Sequence, residues 1–213
     1  MKNKYSLVLV IIISFIFTSC SFRTDYPSIK YYRLNSEPSS KIQPNASIDA
    51  SLLIRDVMVS AGNETDQMMT TSDNGSITKY YYHRWISDIP SLVSDFFRER
   101  YTKFGLFKGG ISKSASAIIP NYVLEISLIE FQNISTSKGS SYVEVTALAT
   151  VIEYPKGAGE QMKKLFVKVF TSKEYKRDNE VTSIAPAFSK ALNNIADDIY
   201  LELYNLVNKN ISE

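Results

Sequence analysis

Three stretches in the second half of the chain alternate apolar and polar side chains with a period of two, and this pattern restricts the fold more than any other feature. In residues 121–131, Tyr122, Leu124, Ile126 and Leu128 share a face opposite Glu125 and Ser127. In residues 142–154, Val143, Val145, Ala147, Ala149 and Val151 share a face opposite Glu144, Thr146 and Thr150. In residues 164–170, Leu165, Val167 and Val169 oppose Lys164 and Lys168. Successive side chains of a strand point to opposite faces, so each stretch predicts a strand with one buried side. Such strands suit an antiparallel sheet covered on one face only. Short links, one containing Gly139 and one at residues 155–159, predict a meander.

What covers that face is legible in two segments of different period. In residues 90–104, Leu92, Val93, Phe96, Phe97, Tyr101 and Phe104 recur at three-four spacing, with Ser94, Asp95, Arg98, Glu99, Thr102 and Lys103 on the other side. This predicts an amphipathic helix that starts at Pro90 and stops at Gly105. A second helix is predicted over residues 184–207. Phe188, Ala191, Leu192, Ile195, Ala196, Ile199, Leu203, Leu206 and Val207 form its stripe, and Lys190, Asn193, Asn194, Asp197, Asp198 and Glu202 its wet side. Upstream, residues 52–59 form a short apolar run. Residues 68–71 and 77–85 flank an Asn74-Gly75 turn signal and read as a hairpin. Tyr31-Tyr32-Arg33-Leu34 is apolar enough to dock as an edge strand. The expected architecture is α+β, two-layer, a mainly antiparallel sheet with two amphipathic helices packed on one face.

The N-terminus carries a different kind of information. Lys2 and Lys4 precede an uncharged run over residues 5–17, which ends at Thr18-Ser19-Cys20. A basic start, a short apolar stretch and a small-residue cleavage site make a secretory signal. The stretch is shorter than the roughly 20 residues that a bilayer-spanning helix needs. Cys20 is the one cysteine of the chain. An exported protein would carry an unpaired cysteine as a reactive thiol unless that thiol were consumed. Thr18-Ser19-Cys20 resembles the lipobox of bacterial lipoproteins, which implies acylation of Cys20, palmitate included, and removal of residues 1–19. Residues 20–44, rich in Ser, Pro, Asn and Lys, then read as lipidated cysteine plus tether and lead-in, and residues 45–213 as a single domain.

Cleavage removes Lys2 and Lys4, so the 24 basic residues against 22 acidic ones become a balanced set. A neutral mature chain offers no argument for nucleic acid or for an anionic membrane surface as a partner. Catalytic groups are scarce. His83 is the one histidine, so no Cys/His dyad or zinc cluster can be assembled, and a Ser-His-Asp set would have to use His83. Gly109-Gly110 lacks the spacing of a phosphate loop and reads as a turn. Asp197-Asp198 reads as solvated helix surface. No cofactor and no metal are expected. Tyr80, Tyr81, Tyr82, His83, Arg84 and Trp85 form an aromatic run at a strand end. It reads either as packing of the helix start onto the sheet or as a partner contact, since Tyr, Trp and Arg are favoured at binding hot spots.

The order of several weak motifs resembles the ABC-type transport auxiliary lipoprotein family. They are Cys20 with its tether, Tyr31-Tyr32-Arg33-Leu34 before Pro38, Tyr82-His83-Arg84-Trp85 before Ile89-Pro90, Phe104-Gly105-Leu106-Phe107, Tyr122-Val123-Leu124 and Ile129-Glu130-Phe131. The resemblance implies a non-enzymatic component of an envelope lipid-transport system, lipid-anchored at the outer membrane and facing the periplasm. Its implied partner is a periplasmic mammalian-cell-entry type protein working with an ATPase and a permease, and homo-oligomers are compatible with it. Ser21, in place of the Asp that retains enteric lipoproteins in the inner membrane, agrees with the outer-membrane expectation. Two other classes stay open. A regulator of a cell-wall synthase would need a tether longer than residues 21–44, which span at most ~80 Å. A hydrolase would need a nucleophile and an acid converging on His83.

Overall fold

The computed structural model describes residues 27–211, apart from residues 44–45, 114–115, 117–118, 138, 156 and 158. The expected signal peptide and Cys20 therefore lie outside the described residues. No helix among the described residues is long and apolar enough to cross a membrane.

Nine strands form one sheet: β1 (Lys30–Tyr32), β2 (Leu52–Ile54), β3 (Met58–Val59), β4 (Gln67–Ser72), β5 (Ile77–Trp85), β6 (Ile111–Lys113), β7 (Tyr122–Ser135), β8 (Ser141–Glu153) and β9 (Lys163–Tyr175). Two helices accompany them, α1 (Ile89–Lys103) and α2 (Ile184–Ile211). β7, β8 and β9 are the expected antiparallel meander, and β4 and β5 the expected hairpin. The sheet as a whole is mixed and not mainly antiparallel. On its other edge β7 takes β2, β3 and β4 in parallel, while β1 lies parallel to β5 and β6 to β2. Alternation along a strand reports which face is buried and carries no information about the direction of its neighbour. Short strands of two or three residues, pairing with a partner some 70 positions away, leave no periodic trace.

Local chemistry sets the helix ends. Asp88 caps α1 by accepting from the Ser91 amide at 2.8 Å, and Pro90 sits in the first turn, where its missing N–H costs nothing. Gly105, at φ +60°, ends it in the left-handed conformation that glycine adopts without penalty. The Gly109-Gly110 turn brings the chain against β2's approach. A side chain at Gly109 would begin 2.6 Å from the Ser51 backbone nitrogen, so only glycine fits.

Both helices share one core with the buried side of the sheet. Leu92, Phe96, Phe97 and Tyr101 of α1 and Phe188, Leu192, Ile195 and Ile199 of α2 join Leu124, Ile126 and Leu128 of β7 and the Val143–Val151 face of β8. Trp85, Phe131 and Phe188 form its aromatic centre. The two phenylalanine rings stack at 4.0 Å between centroids, and Trp85 meets both edge-on.

The structure corrects three expectations. In β9, Val167 and Val169 face outward, about half exposed, and Phe166 and Phe170 take the core side. A register shift at Val151/Ile152 sets Val151 opposite Phe166 and Ala147 opposite Phe170. The two phenylalanines bury more apolar area than two valines, and Lys168 between them reaches out to Glu202 at 2.7 Å. Asp197, expected in water, is 4% exposed and paired with Arg100, itself 1% exposed. Residues 30–43, expected as the lead-in of the tether with a docked edge strand at Tyr31-Tyr32-Arg33-Leu34, are part of the fold beyond that strand as well. β1 is an edge strand, Leu34 is buried, and the segment behind it is sewn into the groove between α1 and α2. Asn193 accepts from the Glu37 amide at 3.2 Å and donates to the Asn35 carbonyl at 3.1 Å. Arg100 donates to the Glu37 carbonyl, and Ser39 to Asp197. Lys41 reaches Asp198 at 2.7 Å.

Candidate functional site

The aromatic run of β5 separates into residues with different roles. Trp85 is 2% exposed, so it is a core residue and not a contact for a partner. Tyr80 is half-buried, with its hydroxyl 2.7 Å from the Thr70 hydroxyl. His83 stacks on Tyr32 at 5.6 Å and meets Tyr80 edge-on. The Tyr32 hydroxyl lies 2.8 Å from His83 Nδ1, and burial pushes that phenol's pKa up. These contacts pack His83 between β1 and β5. Among the described residues, no three His, Cys, Asp or Glu side chains are placed to hold a metal ion.

Tyr81 and Tyr82 remain at the surface, 64% and 37% exposed. Their rings meet edge-on at 5.0 Å, and the Arg84 guanidinium lies 5.8 Å over the Tyr81 ring while pairing with Asp66 at 3.3 Å. Parallel pairing sets Tyr31 of β1 directly beside Arg84, which extends the aromatic group across two strands. Tyr31, with Ile29 before it and Ile86 after β5, is exposed. The sequence held Tyr31 and the Tyr81-Tyr82 pair some 50 positions apart, and only the β1–β5 register joins them.

A second surface is the uncovered side of the sheet. Register places Met58 of β3, Ser127 of β7, Leu148 of β8 and Val169 of β9 in one row across four strands. Met58 and Val169 are exposed, and Val167 lies next to the row. β9 pairs only with β8, so thirteen residues of backbone edge adjoin this row. Charged residues bracket it, with Arg55 and Glu125 on one side and Glu144 and Lys173 on the other. The free edge strand of a one-sided sheet is a contact surface that sequence reasoning expects, but Val167 and Val169, which it assigns to the core, are the residues found exposed there.

The third feature is a cavity of about 470 Å³ where the β4–β5 hairpin meets the start of α2, lined by Met69, Ile77, Trp85, Phe131, Asn133 and Phe188 among others. Asn133 Nδ2 donates to the Met69 carbonyl at 3.1 Å and to the Thr70 hydroxyl. The aromatic centre of the core supplies part of the cavity wall, and Gln67, Thr71, Lys79 and Gln132 supply a polar part.

Comparison with known proteins places this arrangement. Solved structures share the fold. A protein from Xanthomonas campestris, XCC0632, superposes with a TM-score of 0.71 at 12% identity, covering 86% of this chain and all of its own. An uncharacterised protein superposes with a TM-score of 0.56 at 10% identity, covering 83% of this chain and 99% of its own. A search of curated protein sequences finds no significant match. A family model described as the ABC-type transport auxiliary lipoprotein component matches residues 32–200, from the end of β1 to the middle of α2, and the chain belongs to that family.

Proposed function

We propose that this protein is a non-enzymatic, lipid-anchored component of an ABC-type lipid transport system, and that it acts by docking to a periplasmic mammalian-cell-entry type partner. Family membership supports the association with an ABC transport system. The observation that carries docking is the row Met58–Ser127–Leu148–Val169, exposed at its Met58 and Val169 ends and half-buried between them, beside the free β9 edge. An apolar row bracketed by charges, with unpaired strand backbone alongside, is the composition of a protein contact. The rival reading, a regulator reaching toward a cell-wall synthase, loses support from the folding of residues 30–43 into the domain. Only residues 21–29 are left as linker, with a reach of about 30 Å. A photocrosslinking amino acid at Val169, used in intact cells, is expected to capture a periplasmic component of a transporter. Capture of a penicillin-binding protein, or of nothing from position 169 while the protein is folded and anchored, would refute the reading.

A further inference from the structure

We infer that the exposed aromatic group on the β1–β5 edge, made of Ile29, Tyr31, Tyr81, Tyr82 and Ile86, is a membrane-seating surface that rests in the phospholipid headgroup layer of the bilayer to which Cys20 is anchored. The inference rests on the lipid-anchor reading and adds to it an orientation.

Geometry supplies the first reason. β1 begins at Lys30, and residues 21–29 are the whole linker between it and Cys20. Nine residues span at most about 30 Å. The edge carrying β1 is therefore held at the bilayer, at high effective concentration. β9, by contrast, is the far terminus of the strand order β1-β5-β4-β7-β8-β9.

Composition is the second reason. Tyr31 and Tyr81 are 60% and 64% exposed, Ile86 is 55% exposed, and Ile29 and Tyr82 are nearly 40% exposed. Single exposed apolar residues need no explanation, but these five lie on one edge, where Tyr31 pairs with Arg84, Arg84 covers the Tyr81 ring and Tyr81 meets Tyr82, and such a cluster marks an interaction site. Tyrosine is enriched where an apolar body meets a polar headgroup layer, because its ring and hydroxyl suit the two sides of that boundary. The nearby carboxylate of Asp66 is paired with Arg84, and Lys30 and Lys79 are exposed beside the patch. Charge at this edge is thus compatible with phosphate groups. The seating would turn the opposite end of the sheet, with its apolar row, away from the bilayer and toward the periplasm, where a partner can reach it.

The test uses the mature acylated protein in vesicles of phosphatidylethanolamine and phosphatidylglycerol. Acylation consumes the one native cysteine, so Ile86→Cys or Val169→Cys provides a unique position for an environment-sensitive fluorophore. The mass of the N-terminal peptide is measured first. An unacylated peptide would end the anchor reading, and this inference with it. In the acylated protein, a fluorophore at position 86 is expected to shift to the blue and to lose most of its emission to headgroup-level spin-labelled lipid, while position 169 keeps aqueous emission. Adding Tyr31→Ser and Tyr82→Ser, two surface changes that leave the core intact, is expected to abolish the shift at 86 without releasing the protein from vesicles. Aqueous emission at 86 in the acylated protein would overturn the inference. So would shielding of 86 that arises only when periplasmic protein is added, which would make the patch a protein interface.

Discussion

The Arg100–Asp197 pair provides the sharpest test of how this domain is held together. Asp197 accepts from Arg100 and from Ser39, so it ties α1, α2 and the segment behind β1 at one point. Asp197→Ala would strand a guanidinium that is 1% exposed, leaving Asn193 and the Glu37 carbonyl as its acceptors. Removing one partner of a buried pair costs about 3–5 kcal/mol, and the two surviving acceptors favour the lower end. At roughly 2–4 °C per kcal/mol for a chain of this size, the melting midpoint should fall by about 6–12 °C. Amides in residues 35–42 should lose hydrogen-exchange protection before those of β8, because local opening follows the weakest anchored segment. Replacing both partners, Arg100→Met with Asp197→Leu, removes the unpaired charge and should recover most of the midpoint. A loss below about 1 kcal/mol for Asp197→Ala would refute the buried-pair account. So would a double variant no more stable than the single one.

Other expectations can be checked independently. Metabolic labelling with an alkyne fatty acid should tag the wild-type protein and not Cys20→Ser, and equal labelling would remove the lipid-anchor reading. If the organism sorts lipoproteins by the residue after the cysteine, Ser21 should send the protein to outer-membrane fractions, and recovery with inner-membrane markers alone would contradict this. Trp85→Ala should cost about 3–5 kcal/mol by emptying the aromatic centre, while Tyr81→Ala at the surface should stay within about 0.5 kcal/mol in thermal melts. The hydroxyl of Ser183, followed by Arg177 and the Glu180 amide, holds the Asp178 carboxyl below the usual carboxylate range. Its stabilisation of the α2 entrance is therefore complete above the unfolded-state pKa and is lost as pH falls through the depressed folded value. Exchange of amides 180–186 should rise in that acid window, and Asp178→Asn should flatten the rise.

Period and punctuation were enough to find most elements. The two helices, the Asn74-Gly75 hairpin and the β7–β8–β9 meander were legible because each depends on contacts between neighbours in sequence: alternation, three-four spacing, a proline at a helix start, a turn glycine. The strand directions of β1, β2, β3 and β6 were not legible, since parallel pairing with distant partners leaves no local mark. The face of β9 was ambiguous for a physical reason. Leu165, Val167 and Val169 compete with Phe166 and Phe170 for the core, and which set wins depends on the register against β8. Asp197 likewise looks solvated on a helical projection, and becomes buried only because residues 35–42 cross over it to meet Arg100. The candidate surfaces follow the same division. The chain's own order marked Cys20 and the run from Tyr80 to Trp85. Tertiary structure withdrew Trp85 into the core, set Tyr31 beside Arg84, and turned Val167 and Val169 outward, because side-chain exposure is decided by what packs across a strand and not by what precedes it along the chain.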